Sequence, residues 1–229
     1  MDILFRNELK NGCIASGFTQ KGQSFFRVIG DGVLQVIKCK YERKLRGDII
    51  YIGLFSMYGD LQPQWFTASG CIPRYSITNC YYQNNMPLVF AIPMQTQIDM
   101  LGSQVIHWLD SIDTQKKLIR AISMLDPRWN DRLKIGAYLA CGEVNHAKKV
   151  VREILSQCDF GRISRNQYRE DSNGLLILKR DQEGGDFQAL LEMIDRADPA
   201  EIDAYLKENY ARNLTYAKFC IKPFSACDQ

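Results

Sequence analysis

A chain of 229 residues with 46% apolar and 24% charged side chains can bury one large core or two small ones, and it excludes a disordered or fibrous protein. The net charge is only +3 and no segment is strongly polarised, which counts against a protein that lives on nucleic acid. The longest apolar stretch, Leu88 to Ile92, is closed by Pro93 and is far too short to span a bilayer, so no membrane partner is expected.

Met1 to Arg6 lacks an uninterrupted apolar run and a small-residue cleavage site, so no signal peptide and a cytosolic location are expected. In a reducing cytosol the eight cysteines remain thiols and act as small hydrophobes, as Cys39 does within a strand pattern and Cys141 within a helix pattern.

In chain order, Leu4, Leu9, Cys13 and Ile14 form an apolar helical stripe that ends at Ser16-Gly17-Phe18. Ser24 to Ile29, Val33 to Tyr41 and Ile49 to Phe55 read as successive strands, with Gly30-Asp31-Gly32 as a three-residue hairpin turn. In the second strand Val33, Gln35, Ile37, Cys39 and Tyr41 alternate with Leu34, Val36, Lys38 and Lys40, so the second face turns charged towards its end. The third is apolar on both faces and is predicted to be interior, with Arg43 to Asp48 as the loop before it. Residues 59–93 are broken by Pro63, Gly70, Pro73, Pro87 and Pro93 and filled with aromatics, and a fourth strand is expected near Cys71 to Cys80.

From Met94 the period becomes helical: Ile98, Leu101, Val105, Trp108 and Leu109 make one stripe, and Leu118, Ile119, Ile122 and Leu125 another. Leu133, Ala137, Leu139 and Ala140 face Val144, Ala147, Val151, Ile154 and Leu155 across Gly142, an αα-hairpin. Gly161 to Gly174 reads as an exposed loop, and Leu175 to Leu178 as a strand or helical turn. Phe187, Leu190, Leu191 and Ile194 predict a further helix. The last begins at Asp198-Pro199-Ala200-Glu201, a cap, a first-turn proline and a reciprocal glutamate, and Tyr205, Leu206, Tyr210 and Leu214 form its apolar side.

The run Gly17-Phe18-Thr19-Gln20-Lys21-Gly22, then Phe25-Phe26-Arg27 and Asp31 to Ile37, resembles a bacterial domain-of-unknown-function family (4304-type). The resemblance covers about residues 1–60 and extends weakly over 132–155. It implies an opening helix, a Gly-Phe and Lys-Gly turn and a curled antiparallel sheet, with helical hairpins later. Its motif is built of turn residues and core apolars, so it implies shared fold and brings no catalytic residue with it. Through the neighbourhood such domains keep, the resemblance implies a toxin-neutralising or immunity role, which the residues themselves do not show.

Chemistry-bearing motifs are few. Glu143-Val144-Asn145-His146 has one Glu-x-x-His spacing, but a di-iron bundle needs a second such motif and two more glutamates, so a helix-start glutamate beside a surface histidine is the preferred reading. His107 beside Trp108 reads as half-buried packing. Cys141 and His146 stand five apart, which is not a facing helical spacing. Asp110 and Asp113 read as caps for a helix near Thr114. No Cys-x-x-Cys, Gly-x-Ser-x-Gly or phosphate-loop run occurs, so no catalytic residue, cofactor or metal is expected.

Two surfaces remain as binding candidates. One is basic, Lys38, Lys40, Arg43, Lys44 and Arg46 around Tyr41, suited to phosphates or an acidic protein patch, although a solvated hairpin end is the blander reading. The other is aromatic, Trp65, Phe66, Tyr81 and Tyr82. The expectation is an α+β fold: an N-terminal helix and an antiparallel sheet of three to four strands over residues 1–112, then a helical half over 113–229 with an αα-hairpin. The expected function is a cytosolic, non-enzymatic protein-interaction module, immunity- or inhibitor-type, whose partner is another protein. A nucleic-acid-associated module using residues 38–46 stands second, and an enzyme with a scattered site third.

Overall fold

Helix α1 (Ile3–Ala15) stops because Gly17 turns into the left-handed region at φ +81°. The Phe18 amide then reaches the Cys13 carbonyl and the Gly17 amide reaches that of Ile14, both at 3.0 Å, which satisfies the last helical carbonyls. The computed structural model from which this geometry comes describes residues 3–42, 47–61, 75–76, 94–125, 131–157, 168–170 and 176–217. Only Leu9 and Cys13 of the predicted stripe are buried. Ile14 is exposed and Leu4 is 74% exposed, because α1 rests on the sheet by a narrow seam.

Five strands follow in simple order: β1 (Thr19–Lys21), β2 (Ser24–Ile29), β3 (Val33–Glu42), β4 (Gly47–Ser56) and β5 (Tyr75–Ser76), each antiparallel to the next. This is one strand more than expected, since the Lys-Gly turn carries the short β1. Gly47 and Asp48, read as loop, are already paired in β4 opposite Glu42 and Tyr41. The predicted strand near Cys71 to Cys80 is present at Tyr75 and Ser76; its other residues lie outside those described.

Alternation along β3 divides the apolar residues between two cores. Val33, Ile37 and Cys39 join Phe25, Ile50, Ile52 and Leu54 on one face, beneath α1 and the helices after Met94. Leu34, Val36, Phe26 and Phe55 occupy the other face with Met57, Leu61 and Ala217. Strand β4 is interior and its residues Ile50, Ile52 and Leu54 are buried, as its two apolar faces require. Each such side chain contributes about 1.5–3 kcal/mol of transfer free energy.

The hairpin turn of β2 and β3 is fixed by a neighbour. Gly30 has φ +48°, and a Cβ there would lie 1.9 Å from the Asp113 carbonyl oxygen, which accepts the Asp31 amide at 2.8 Å. Only glycine fits.

Helices α2 (Met94–Met100) and α3 (Ile106–Asp110) are joined by a π-helical turn, Leu101–Val105, in which the Ile106 amide reaches back to the Leu101 carbonyl. The wider turn takes in one extra residue and rotates the later stripe. Ile106 swings into the core with Leu109, and Trp108 is left half-buried. His107, expected to be half-buried, is exposed for the same reason.

Helix α4 (Gln115–Leu125) adds Leu118, Ala121 and Ile122 to the first core, and α5 (Asp131–Ala140) adds Ala137, so one core runs across residue 113. Helices α5 and α6 (Val144–Gln157) form the predicted αα-hairpin around Gly142 at φ +73°. A small hairpin, β6 (Tyr168–Glu170) and β7 (Leu176–Leu178), places a strand inside the stretch read as loop. Helix α7 (Lys179–Arg196) packs on α6 in a third core, with Ile135, Leu139, Val151, Phe187 and Ile194. Helix α8 (Pro199–Ala217) closes the second face of the sheet through Tyr210, Tyr216 and Ala217. The result is α+β, an N-terminal helix and antiparallel sheet followed by a helical C-terminal half.

Candidate functional site

The basic cluster is not assembled as a surface. Lys38 lies on the second face of the sheet, between Ser24 and Tyr51 in register, and is 6% exposed. Tyr41 at the end of β3 is 54% exposed. Lys40 lies on β3, but its side chain, like Arg43, Lys44, Arg46, Trp65, Phe66, Tyr81 and Tyr82, falls outside the described residues.

Other expected features resolve into structural roles. Asp110 does not cap a helix but binds Arg27 at 2.6 Å, while Asp113 pairs with Lys117 at 2.7 Å. Arg27 is buried beneath the ring of Phe18 (4.3 Å) and also donates to Gln35 Oε1 and to the Ser16 carbonyl, both at 2.8 Å. Gln35 in turn donates to the Leu109 carbonyl at 2.7 Å, so one guanidinium ties the turn after α1 to β2, β3 and α3. The side chain of Gln97 acts as a missing strand beside β4, accepting from the Ile50 amide and donating to the Asp48 carbonyl. Glu143 and His146 approach to 3.2 Å, with the imidazole stacked on Tyr138 and largely in solvent. Among the described residues, no three His, Cys, Asp or Glu side chains converge as metal ligands, and no helix is long and apolar enough to cross a membrane.

Sequence reasoning missed the face of α8 that matters most. Asn209 and Asn213, one helical turn apart, are buried where a hydrophobic stripe was expected, while Leu214 is exposed. They serve the turn that follows β4. Asn213 Nδ2 donates to the carbonyls of Met57 (2.8 Å) and Gly59 (2.7 Å), and Asn209 Nδ2 donates to that of Tyr58 (3.1 Å). These are carbonyls of a tight turn for which strand pairing offers no donor, and a buried acceptor left unpaired would cost about 1–3 kcal/mol. Helix α5 presses on the turn from the other side. A Cβ at Gly136 would lie 2.5 Å from the Tyr58 carbonyl and the Gly59 nitrogen. The available signal was an Asn-x-x-x-Asn pair at core spacing, since asparagine seldom enters a core without backbone partners.

Clamping the turn between α5 and α8 opens a cleft of about 280 Å³ that α7 completes. Ile135, Phe187 and Leu190 supply apolar wall, and Tyr205 stands beside them. The polar side is Asp60, Asn209 and Arg212, in which Arg212 Nη2 donates to Asp60 Oδ1 at 2.9 Å and to Asn209 Oδ1. Residues from four stretches of the chain thus meet at one concavity, with apolar side chains and a positioned guanidinium both in its lining. Beyond the turn, Tyr58 donates to Asp31 Oδ1 at 3.1 Å, and burial together with the Asp31 charge pushes its phenol up to about 12. A second, shallower hollow on α6 is lined by Lys148 and Arg152, whose charges are taken by Asp195 of α7. No family model, curated protein or solved structure matches this chain.

Proposed function

We propose that this is a protein-interaction module that recognises its partner through the cleft formed by α5, α7, α8 and the turn after β4. The reading is supported by one observation above the others: a preformed concavity with apolar walls and a fixed polar rim, held by Gly136, Asn209 and Asn213 rather than by mobile loops. Such a cleft takes one anchoring side chain and fixes its orientation by a few polar contacts. Both faces of the sheet carry a core, so a partner docking on a sheet face has no apolar surface to meet among the described residues. An immunity- or inhibitor-type role is one form that such a module takes. The nucleic-acid reading loses Lys38 to the interior.

The test is a random peptide array probed with the wild-type protein and with Leu190→Trp, which fills the cleft, after matching their melting temperatures. Tyr205→Ala serves as a second variant. Peptides sharing a large apolar residue, captured by the wild type and lost from the variants, are expected. Capture that survives both substitutions, or no capture, contradicts the reading.

A further inference from the structure

We infer that the cleft binds a carboxylate carried on an apolar stem, an inference that rests on the cleft being the recognition site. Among the described residues, Arg212 commits only one of its three guanidinium nitrogens. Its Nη2 group holds Asp60 Oδ1 at 2.9 Å and also Asn209 Oδ1. No bond from Nε or Nη1 is made among the described residues, so three of the five N–H donors of the guanidinium remain. The two bonds that exist fix the plane of the group and its place on the rim.

The Asp60 contact orients the arginine more than it stabilises the fold. The Asp60 pair is partly exposed, with side chains 35% and 48% accessible, and a pair of that kind contributes little to folding. Asn209 is nearly fully buried and is itself held by the Tyr58 carbonyl at 3.1 Å, so its Oδ1 is a fixed post for the guanidinium. A cation oriented in advance loses little side-chain entropy when an anion arrives. Ile135, Phe187 and Leu190 line the same cleft and offer apolar surface to a hydrocarbon stem or aromatic ring. A ligand that meets both therefore carries an apolar group and an anion. A carboxylate fits the planar donor fork, and a chain end whose last side chain is apolar has this form, as does a free aryl- or alkyl-carboxylic acid.

The experiment measures three probes by calorimetry against the whole protein: N-acetyl-Ala-Ala-Phe with a free carboxylate, the same tripeptide as its amide, and 3-phenylpropionate. The acid tripeptide is expected to bind about tenfold more tightly than the amide, the size of one hydrogen bond to a charged group. Arg212→Gln, checked for an unchanged melting temperature, should bring acid and amide to equal affinity, and Leu190→Trp should weaken both. Phenylpropionate weaker than the acid tripeptide identifies a chain end as the source of the carboxylate. Equal or tighter binding identifies a free acid, and either result supports the inference. Acid and amide bound equally by the wild type, with both lost in Leu190→Trp, overturns the carboxylate while leaving the cleft as the site. No binding of any probe overturns both.

Discussion

At the scale of single residues, polar groups are placed by backbone acceptors and donors more than by one another. Asp198 accepts the Ala200 amide at 2.9 Å with Pro199 in the first turn of α8, whereas Glu201 turns away to Arg196 at 2.8 Å rather than back to the cap. Asp198→Ala should therefore lower stability by about 1 kcal/mol in urea unfolding, with binding at the cleft unchanged. That cap was legible in sequence because its partner is the adjacent backbone. Lys38 and Asn213 were not, because their surroundings come from other strands and helices, and a side chain's own letter reports none of them. Cys13 and Cys39 behave as the small hydrophobes their patterns implied. Burial pushes each thiol up to about 12 from 9.0. The folded state then keeps protons that the unfolded chain releases above its own thiol pKa, so stability should be level below about pH 9 and fall towards pH 12. Alkylation at pH 8 followed by peptide mapping should find both residues unmodified in the native protein. Ready modification of either contradicts their burial.

Elements were legible where a regular period ran unbroken. The hairpin of β2 and β3, the two-faced β4 and the αα-hairpin around Gly142 stand where their patterns put them, since turn glycines and alternation are local signals. The stripe after Met94 stands at Ile98, Leu101, Val105 and Leu109, but a period of 3.6 carried through the π turn passed over Ile106, which is buried while Trp108 is half-buried. The cleft was illegible for a different reason. It depends on α5 and α8 meeting one turn of β4, a juxtaposition set by tertiary packing. Gly136 tests that contact. Gly136→Ala should cost about 1–3 kcal/mol, as an overpacked site does, and should weaken peptide capture by displacing the Tyr58–Gly59 peptide. Gly12→Ala, whose added Cβ meets nothing within 4 Å, serves as the control.

Over the whole molecule the sheet is a partition, with α1 to α5 covering one face and α8 the other, while α5 to α7 build a third core beside it. Ile52→Asp, an unpaired charge at the centre of the first core, should remove several kcal/mol and with it most of the margin by which a domain is folded. On the function proposed above, recognition falls to the junction between the turn after β4 and the helices. The most direct test is a methyl spectrum of the protein labelled at isoleucine and leucine, recorded while N-acetyl-Ala-Ala-Phe is added. Shifts at Ile135 and Leu190, with Ile37 and Ile52 unmoved, are the predicted result. Shifts confined to other methyls, or none up to millimolar peptide, would contradict the assignment of the cleft as the binding site.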